Sequence, residues 1–272
     1  MPSPPYASDL TLFEEQDQTL LSLQTQARTC EAMGSHMYAR LFHDLAVDYE
    51  DNGRTFALLA GRSQRPIHDA LPLRLAGALH RIVLQGKDER LARHYPSMGG
   101  KPGEDFTADV IAYMRDHLDE IDIALTQQVQ TNEVGRSVVH LTLLHWLTSL
   151  GINDIDLLEI GASAGLNLNC DHYYACSHQL RMGDPTSPIR MMGDWFTHTP
   201  KIPLTGARIH RRRGTDISPI DVTDNDDAIR LLSFVWPDQK ERFTRTRAAI
   251  EIAQQHRPIV DQQSADTWVR DQ

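Results

Sequence analysis

The sequence has little cysteine: three residues in 272, at Cys30, Cys170 and Cys176. An odd number at those spacings, with no CxxC pair and no Cys/His tetrad, argues against a disulfide framework and against a structural zinc site. Positive charge is also short. Against 37 Asp and Glu stand 27 Lys and Arg, for a formal net charge of −10. Such a molecule repels phosphate backbones and anionic membranes, so neither nucleic acid nor membrane is an expected partner. No stretch approaches the ~20 apolar residues of a membrane span. The opening segment, Met1-Pro-Ser-Pro-Pro-Tyr-Ala-Ser8, carries neither the basic nor the apolar region of a signal peptide. The expectation is a soluble, cytoplasmic protein. None of the 13 histidines lies in an HxxxH or HExxH pattern. His140 and His145, five apart, project about 140° from each other on a helix and cannot share an ion, so no metal is expected.

What the chain does have is an ordinary globular balance, 40% apolar and 24% charged, with length enough for a sizeable core. Residues 9 to about 151 read as helix. Val110, Met114, Leu118, Ile121 and Leu125 step by four or three along one apolar stripe, and Gly34, Gly53, Gly61, Gly86 and Gly99-Gly100 divide the region into about six helices. From residue 155 the pattern changes to short apolar runs, with strands expected near 155–160, 208–212 and 258–262. Between the last two, residues 223–256 read as a helix that Pro237 should split, with Asp224 or Asp226 as N-cap. A span with four prolines, Asp184 to Gly206, reads as a loop inserted after the first strand–helix unit. The expected organisation is a helical domain over 1–130 and an α/β domain over 131–272.

The chemistry concentrates in Leu157-Leu-Glu-Ile-Gly-Ala-Ser-Ala-Gly-Leu-Asn-Leu-Asn169, an apolar strand running into small residues and then a helix-compatible stretch. Gly161 permits a sharp turn, Ala162 to Ala164 keep side chains away from a ligand, and Gly165 lets a helix start close to the sheet. A nucleotide or nucleoside is the ligand class that such a turn takes. The glycines of a dinucleotide fingerprint are absent at Ser163 and Leu166, and no Gly-Lys-Ser/Thr follows for a phosphate-binding loop. The spacing Glu159, Gly161, Ser163, Gly165 instead resembles motif I of S-adenosylmethionine-dependent methyltransferases, with serine at the middle glycine. Gly161 to Gly165 also matches the GxSxG turn of α/β-hydrolases, with Ser163 as nucleophile. That fold needs strands before the turn, where this chain reads as helix. A third possibility is a glycine-rich turn with no ligand.

A second segment, Val129 to Ser137, opens the helix before the first strand, with Thr131 or Asn132 as N-cap. At about 1.5 Å per residue a helix over 132–150 is about 28 Å long. The strand then returns some 20 Å at about 3.3 Å per residue, bringing the start of that helix near the Gly161–Gly165 turn. Asn132, Glu133 and Arg136 thereby become candidate ligand contacts. Glu133 and Arg136 share a helix face and could equally pair with each other, and Glu133 is the candidate base for an O or N acceptor. At the end of the second strand Asp216, with Asp221 as fallback, is the candidate for ribose hydroxyls. After the third, Gln263 or Asp266 is the candidate for an adenine amine. Arg211 to Arg213 read as a solvated strand edge rather than a substrate clamp.

Four segments carry a wider resemblance: Gln130-Thr-Asn-Glu-Val-Gly-Arg-Ser137, Leu158-Glu-Ile-Gly-Ala-Ser-Ala-Gly-Leu-Asn167, Gly183-Asp-Pro-Thr-Ser-Pro188 and Arg212-Arg-Gly-Thr-Asp-Ile-Ser-Pro-Ile-Asp221. They are similar to the bacterial family catalogued as domain of unknown function 2332, as are Tyr95-Pro-Ser-Met-Gly-Gly100 and Val235-Trp-Pro-Asp-Gln239. The resemblance brings no activity with it. It implies a helical region followed by a partial Rossmann-like, methyltransferase-like parallel sheet. A methyltransferase sheet has about seven strands, so the expectation is a sheet cut short after its third strand. Its open edge would then be completed by another chain or used for self-association. The functions left open are an S-adenosylmethionine-binding methyltransferase acting on a small molecule, a nucleoside-binding or interaction protein without turnover, and a serine hydrolase using Ser163.

Overall fold

The structure is a computed structural model that describes residues 7–198 and 200–272. The signal-peptide reading of the first six residues lies outside them. The chain divides into two compact units. One is the described part of Met1–Val129 together with Ser233–Lys240, and the other is Gln130–Leu232 with Glu241–Gln272.

The first unit is helical throughout. Its elements are α1 (Ala7–Ala32), α2 (His36–Glu50), α3 (Arg54–Leu59), α4 (Leu71–Leu84), α5 (Glu89–Ala92), α6 (Phe106–Asp116) and α7 (Leu118–Leu125). Gly34, Gly53, Gly61 and Gly86 fall between consecutive helices as the sequence suggests. Val110, Met114, Ile121 and Leu125 of the stripe are buried and Leu118 is half-buried, yet the stripe belongs to two helices. His117 takes φ −134° and ψ +40° between them, and its Nδ1 lies 3.2 Å from the Tyr113 carbonyl. The core gathers Leu41, Phe42, Leu45, Leu75, Leu79 and Val110 around the helix faces.

Ser233–Lys240 joins this core from far along the sequence. Trp236 is part of it, and Phe234 lies where a side chain on Gly77 would stand. Asp238 completes the cap of α2, whose own Ser35 makes no side-chain cap bond. Its Oδ1 accepts the Ser35 hydroxyl at 2.7 Å and its Oδ2 the Met37 N–H at 3.1 Å. His80 Nδ1 donates to the Ser233 carbonyl at 3.0 Å, which leaves Nε2 to accept the Ser97 hydroxyl at 2.8 Å. Burial pushes this imidazole down to about 4, so it stays neutral across the physiological range.

The second unit is α/β. A 3-10 turn (Val134–Arg136) leads into α8 (Ser137–Ser149), then β1 (Asp154–Ile160), a 3-10 segment (Leu166–His172), β2 (Tyr174–Ser177), β3 (Leu180–Gly183), β4 (Arg190–Met192) and β5 (Arg208–Asp216). The remaining elements are α9 (Asn225–Ser233), α10 (Lys240–His256), β6 (Ile259–Gln262) and α11 (Ala265–Arg270). Proline at 237 falls in the break between α9 and α10, and Asp224 caps α9 by accepting the Asp227 N–H. The main sheet is parallel in the order β1-β5-β6, half of a Rossmann-like arrangement.

Two local expectations change. The helix expected after Gly165 is a 3-10 segment kinked at Asn169. The span read as a loop carries β4, because alternate residues Ile189 and Met191 are buried. β4 pairs with β2 in a small sheet ordered β3-β2-β4. The outer edge of β1 has no strand partner among the described residues. On one face of that strand Leu158 and Ile160 are 42% and 59% exposed. No helix among the described residues is long and apolar enough to cross a membrane.

The helical unit should depend on its returning segment. Trp236→Ala is expected to lower unfolding free energy by about 3–5 kcal/mol and Asp238→Ala by about 1–3 kcal/mol. Val269→Ala, at a 58% exposed site, should fall within about 0.5 kcal/mol of the parent. Urea denaturation followed by circular dichroism measures all three, and a Trp236 variant as stable as the parent would contradict this packing.

Candidate functional site

The carboxyl ends of β1, β5 and β6 meet at the Gly161–Gly165 turn. Ala162 N–H donates to the Thr215 carbonyl at 3.0 Å, extending the β1–β5 ladder by one bond. Its methyl packs where Gly214 has no side chain, since a Cβ there would stand 2.6 Å from that of Ala162. Ser163 follows at φ +53°, a conformation that costs a non-glycine residue about 1–3 kcal/mol. Its N–H donates to Asp216 Oδ2 at 2.8 Å, and its carbonyl accepts the Ile220 N–H at 3.2 Å. The two glycines do different work. Gly161, at φ +68°, has nothing within 4 Å of the position of a Cβ, whereas a Cβ on Gly165 would meet Val260 at 2.8 Å and Pro258 at 3.1 Å.

The start of α8 does reach this turn. Asn132 Oδ1 accepts the Leu166 N–H at 2.9 Å, and the Ser137 hydroxyl donates to Asn167 Oδ1 at 2.8 Å. Neither Thr131 nor Asn132 is the N-cap. Glu133 takes that position by accepting the Gly135 N–H at 2.9 Å. Glu133 does not pair with Arg136, because Arg242 at 2.6 Å and Arg245 at 3.6 Å on α10 hold its carboxylate. Against the upward effect of burial, the Gly135 N–H and those two guanidinium groups keep it below the usual carboxylate range. It is therefore ionised, tied down and a weak base. Arg136 is exposed and makes no side-chain hydrogen bond or ion pair among the described residues.

Glu159 is the unusual titratable group. Burial pushes its carboxyl up to about 7, against a hydrogen bond from Asn167 and the charge of Arg136. Its Oε2 has no hydrogen-bond partner, nor do Ser163 Oγ and Asn169 Nδ2, all three buried. Unpartnered buried polar atoms are rare in native proteins, and these three belong to β1, to the turn after it and to the 3-10 segment that follows. For hydrolysis, Ser163 would need a base within hydrogen-bond reach, and its hydroxyl has none.

Asp216 and Gln263 complete the strand ends. Asp216 Oδ1 accepts the Ser218 N–H at 2.9 Å, so each of its oxygens already holds one backbone donor and retains acceptor capacity for another. Gln263 N–H donates to the Asp216 carbonyl at 3.1 Å, its own carbonyl accepts the Thr215 hydroxyl, and its Nε2 reaches Asp271. Asp266 is exposed. Arg211 to Arg213 are not a solvated edge, because β5 is the middle strand. Arg211 pairs with Asp156 at 3.2 Å, Arg212 with Asp171 at 2.8 Å and Arg213 with Asp261 at 2.7 Å. His145 Nδ1 lies 2.8 Å from the Pro203 carbonyl.

In the helical unit, sequence spacing gave no sign of a cluster of His94, Asp105 and Asp109. His94 Nδ1 accepts the Gly103 N–H, and its Nε2 lies 2.9 Å from an Asp109 oxygen and 3.2 Å from Arg93 Nε. Arg93 lies on both aspartates. With both ring nitrogens of His94 in hydrogen-bond contact and the Arg93 guanidinium on both carboxylates, the three groups form one hydrogen-bonded ion network.

The profile of a family described as an uncharacterized protein conserved in bacteria (DUF2332) matches residues 22–272. No curated protein and no solved structure matches the chain.

The raised Glu159 carboxyl has a signed consequence. Folding favours the protonated form, so its stabilising share is complete below the ordinary carboxylate range and is lost as pH rises through about 7. Relative to the parent, Glu159→Gln should gain about 3 kcal/mol in unfolding free energy between about pH 4.5 and pH 8. Urea titrations across that range test it, and a parent–variant difference that stays flat would remove the buried proton from the account.

Proposed function

The chain belongs to this DUF2332 family, and from that premise we propose that it binds S-adenosylmethionine at the carboxyl ends of β1, β5 and β6 and acts as a methyltransferase-like protein on a small molecule. One observation carries the reading. The turn after β1, Asp216 at the end of β5 and Gln263 after β6 are joined by hydrogen bonds at adjacent parallel strand ends, where open α/β sheets bind their ligands. The fit is supported by the open space over Gly161 and by the unpartnered Glu159 Oε2.

In this reading the residues that would hold the cofactor are Glu159, Gly161, Ala162, Ser163 and Gly165 of the turn, with Asn132, Arg136, Asp216 and Gln263. Glu159 offers a buried carboxyl and Arg136 a guanidinium to the amino-acid end, and Asp216 offers its remaining lone pairs to ribose hydroxyls. When bound, S-adenosylmethionine supplies an electrophilic methyl group, and what the protein adds is placement of an acceptor in line with it. Glu133, already held by Arg242 and Arg245, contributes by fixing the 3-10 turn that carries Arg136. The reading includes a cytoplasmic setting, consistent with three free cysteines, and the unpaired outer edge of β1 as a place for self-association.

A second reading, nucleoside binding without turnover, is favoured by one observation: Glu133, the candidate base for an O or N acceptor, is ionised and held by Arg242 and Arg245.

Calorimetric titration with S-adenosylmethionine separates these readings from the rest. Saturable binding is expected, with loss of at least about tenfold in affinity in Gly161→Val, where a branched side chain would fill the open space at positive φ. Ser163→Ala should bind as the parent does. A folded chain that does not bind the cofactor sinks the methyltransferase reading, and an esterase activity abolished by Ser163→Ala would replace it with the hydrolase.

A further inference from the structure

Behind the same turn, on the Gly165 side, the second unit has a cavity of about 410 Å³, within the range of small-ligand sites of about 300–1,000 Å³. Its apolar wall includes Ala164, Ile220, Val222 and Ile259, and its charged groups are Asp221 and Arg257. The two charges face one cavity without forming an ion pair. Arg257 makes no side-chain hydrogen bond or ion pair among the described residues. Asp221 spends a single oxygen, Oδ1, on the Thr223 N–H at 2.9 Å and hydroxyl at 2.7 Å, which leaves Oδ2 without a hydrogen-bond partner among the described residues. They are near enough for the Arg257 charge to act on Asp221, which hydrogen bonds from Thr223 already hold below the usual carboxylate range.

Two further observations set this cavity apart from a chance hollow. Val222, which lines the cavity, has a backbone N–H that donates to no acceptor among the described residues. Arg257 stands just beyond the end of α10 at φ +43°, a strained conformation for a long side chain. Its own N–H is spent on the Ala253 carbonyl at 2.7 Å.

We propose that this cavity binds a free α-amino acid with an apolar side chain, its carboxylate on Arg257 and the Val222 N–H, its ammonium on Asp221, and its side chain against Ile220, Val222 and Ile259. A cation and an anion that are unpaired with each other across an apolar wall match a zwitterion better than they match a purely anionic or purely apolar ligand. The unpaired amide adds a donor that an apolar occupant would leave unsatisfied. The proposal does not rest on the cofactor reading, since neither Asp221 nor Arg257 is among the residues proposed there to hold the cofactor.

The test is fluorine NMR of 4-fluoro-L-phenylalanine with the full chain. Two variants remove charge while keeping local geometry. Asp221→Asn retains the oxygen that accepts from Thr223, and Arg257→Asn suits the positive φ. Saturable binding is expected, weakened at least about tenfold in each variant. The N-acetyl derivative and the decarboxylated 4-fluorophenethylamine should bind the parent chain at least about tenfold more weakly than the amino acid. Three results overturn the proposal: no saturable binding up to about 10 mM, binding unchanged in either variant, or a clipped analogue binding as well as the amino acid. Because the probe has no nucleoside, failure of S-adenosylmethionine to bind leaves this result untouched.

Discussion

One carboxylate holds the carboxyl end of the parallel sheet in its observed form. Asp216 accepts the Ser163 N–H with one oxygen and the Ser218 N–H with the other, so the turns after β1 and β5 close on a single side chain. Hydrogen bonds to a charged acceptor contribute about 1.5–3 kcal/mol each, enough to offset the cost of Ser163 at positive φ. The consequences extend in both directions. With Ser163 fixed, its carbonyl meets the Ile220 N–H, and the loop after β5 folds down to wall the 410 Å³ cavity. The turn itself keeps Gly161 outward and Gly165 against β6.

The arginine run on β5 supplies the second layer of order. Arg211 reaches Asp156 on β1, Arg213 reaches Asp261 on β6, and Arg212 reaches Asp171 on the 3-10 segment, so a central strand is stitched to everything that flanks it. Exposed pairs of this kind contribute little singly. Arg212 is the exception, since it also donates to the Leu168 carbonyl and to Asn169. That fork fixes the kinked 3-10 segment where a Rossmann fold normally has a helix. Glu159 lies outside this pairing. It has a single amide donor in Asn167 and a distant guanidinium in Arg136, and its carboxyl rises accordingly.

What the sequence made legible was local. The 3.6-residue stripe marks the helices, Pro237 marks the break between α9 and α10, and short apolar runs mark β1, β5 and β6, the first ending in glycine and the second in an acid. The rise per residue of helix and strand even placed the start of α8 beside the Gly161–Gly165 turn, where Asn132 bonds Leu166. The rest depended on partners remote in sequence. Glu133 looked toward Arg136 three residues on, and its partners are Arg242 and Arg245. Strands of three or four residues, such as β2, β3 and β4, are too short to declare a period and form only because each has a neighbour. Arg211 to Arg213 looked like an edge because nothing in the sequence states that β6 comes to lie on the far side of β5. Trp236 gave no sign that its segment returns to the helical unit.

Both candidate sites border one five-residue turn, the cavity through Ala164, and this places a constraint on how they can act. A ligand over Gly161 presses on a backbone whose next N–H is held by Asp216, and a ligand in the cavity presses on the loop that Ser163 holds through Ile220. Any free energy that one ligand spends in shifting Ser163 therefore appears in the affinity of the other, by equal amounts in the two directions. The cavity can be independent of the sheet ends only if the turn does not move. Its closest packing argues for that limit: the backbone of Gly165 already approaches Val260 and Pro258 so nearly that a single carbon would not fit between them.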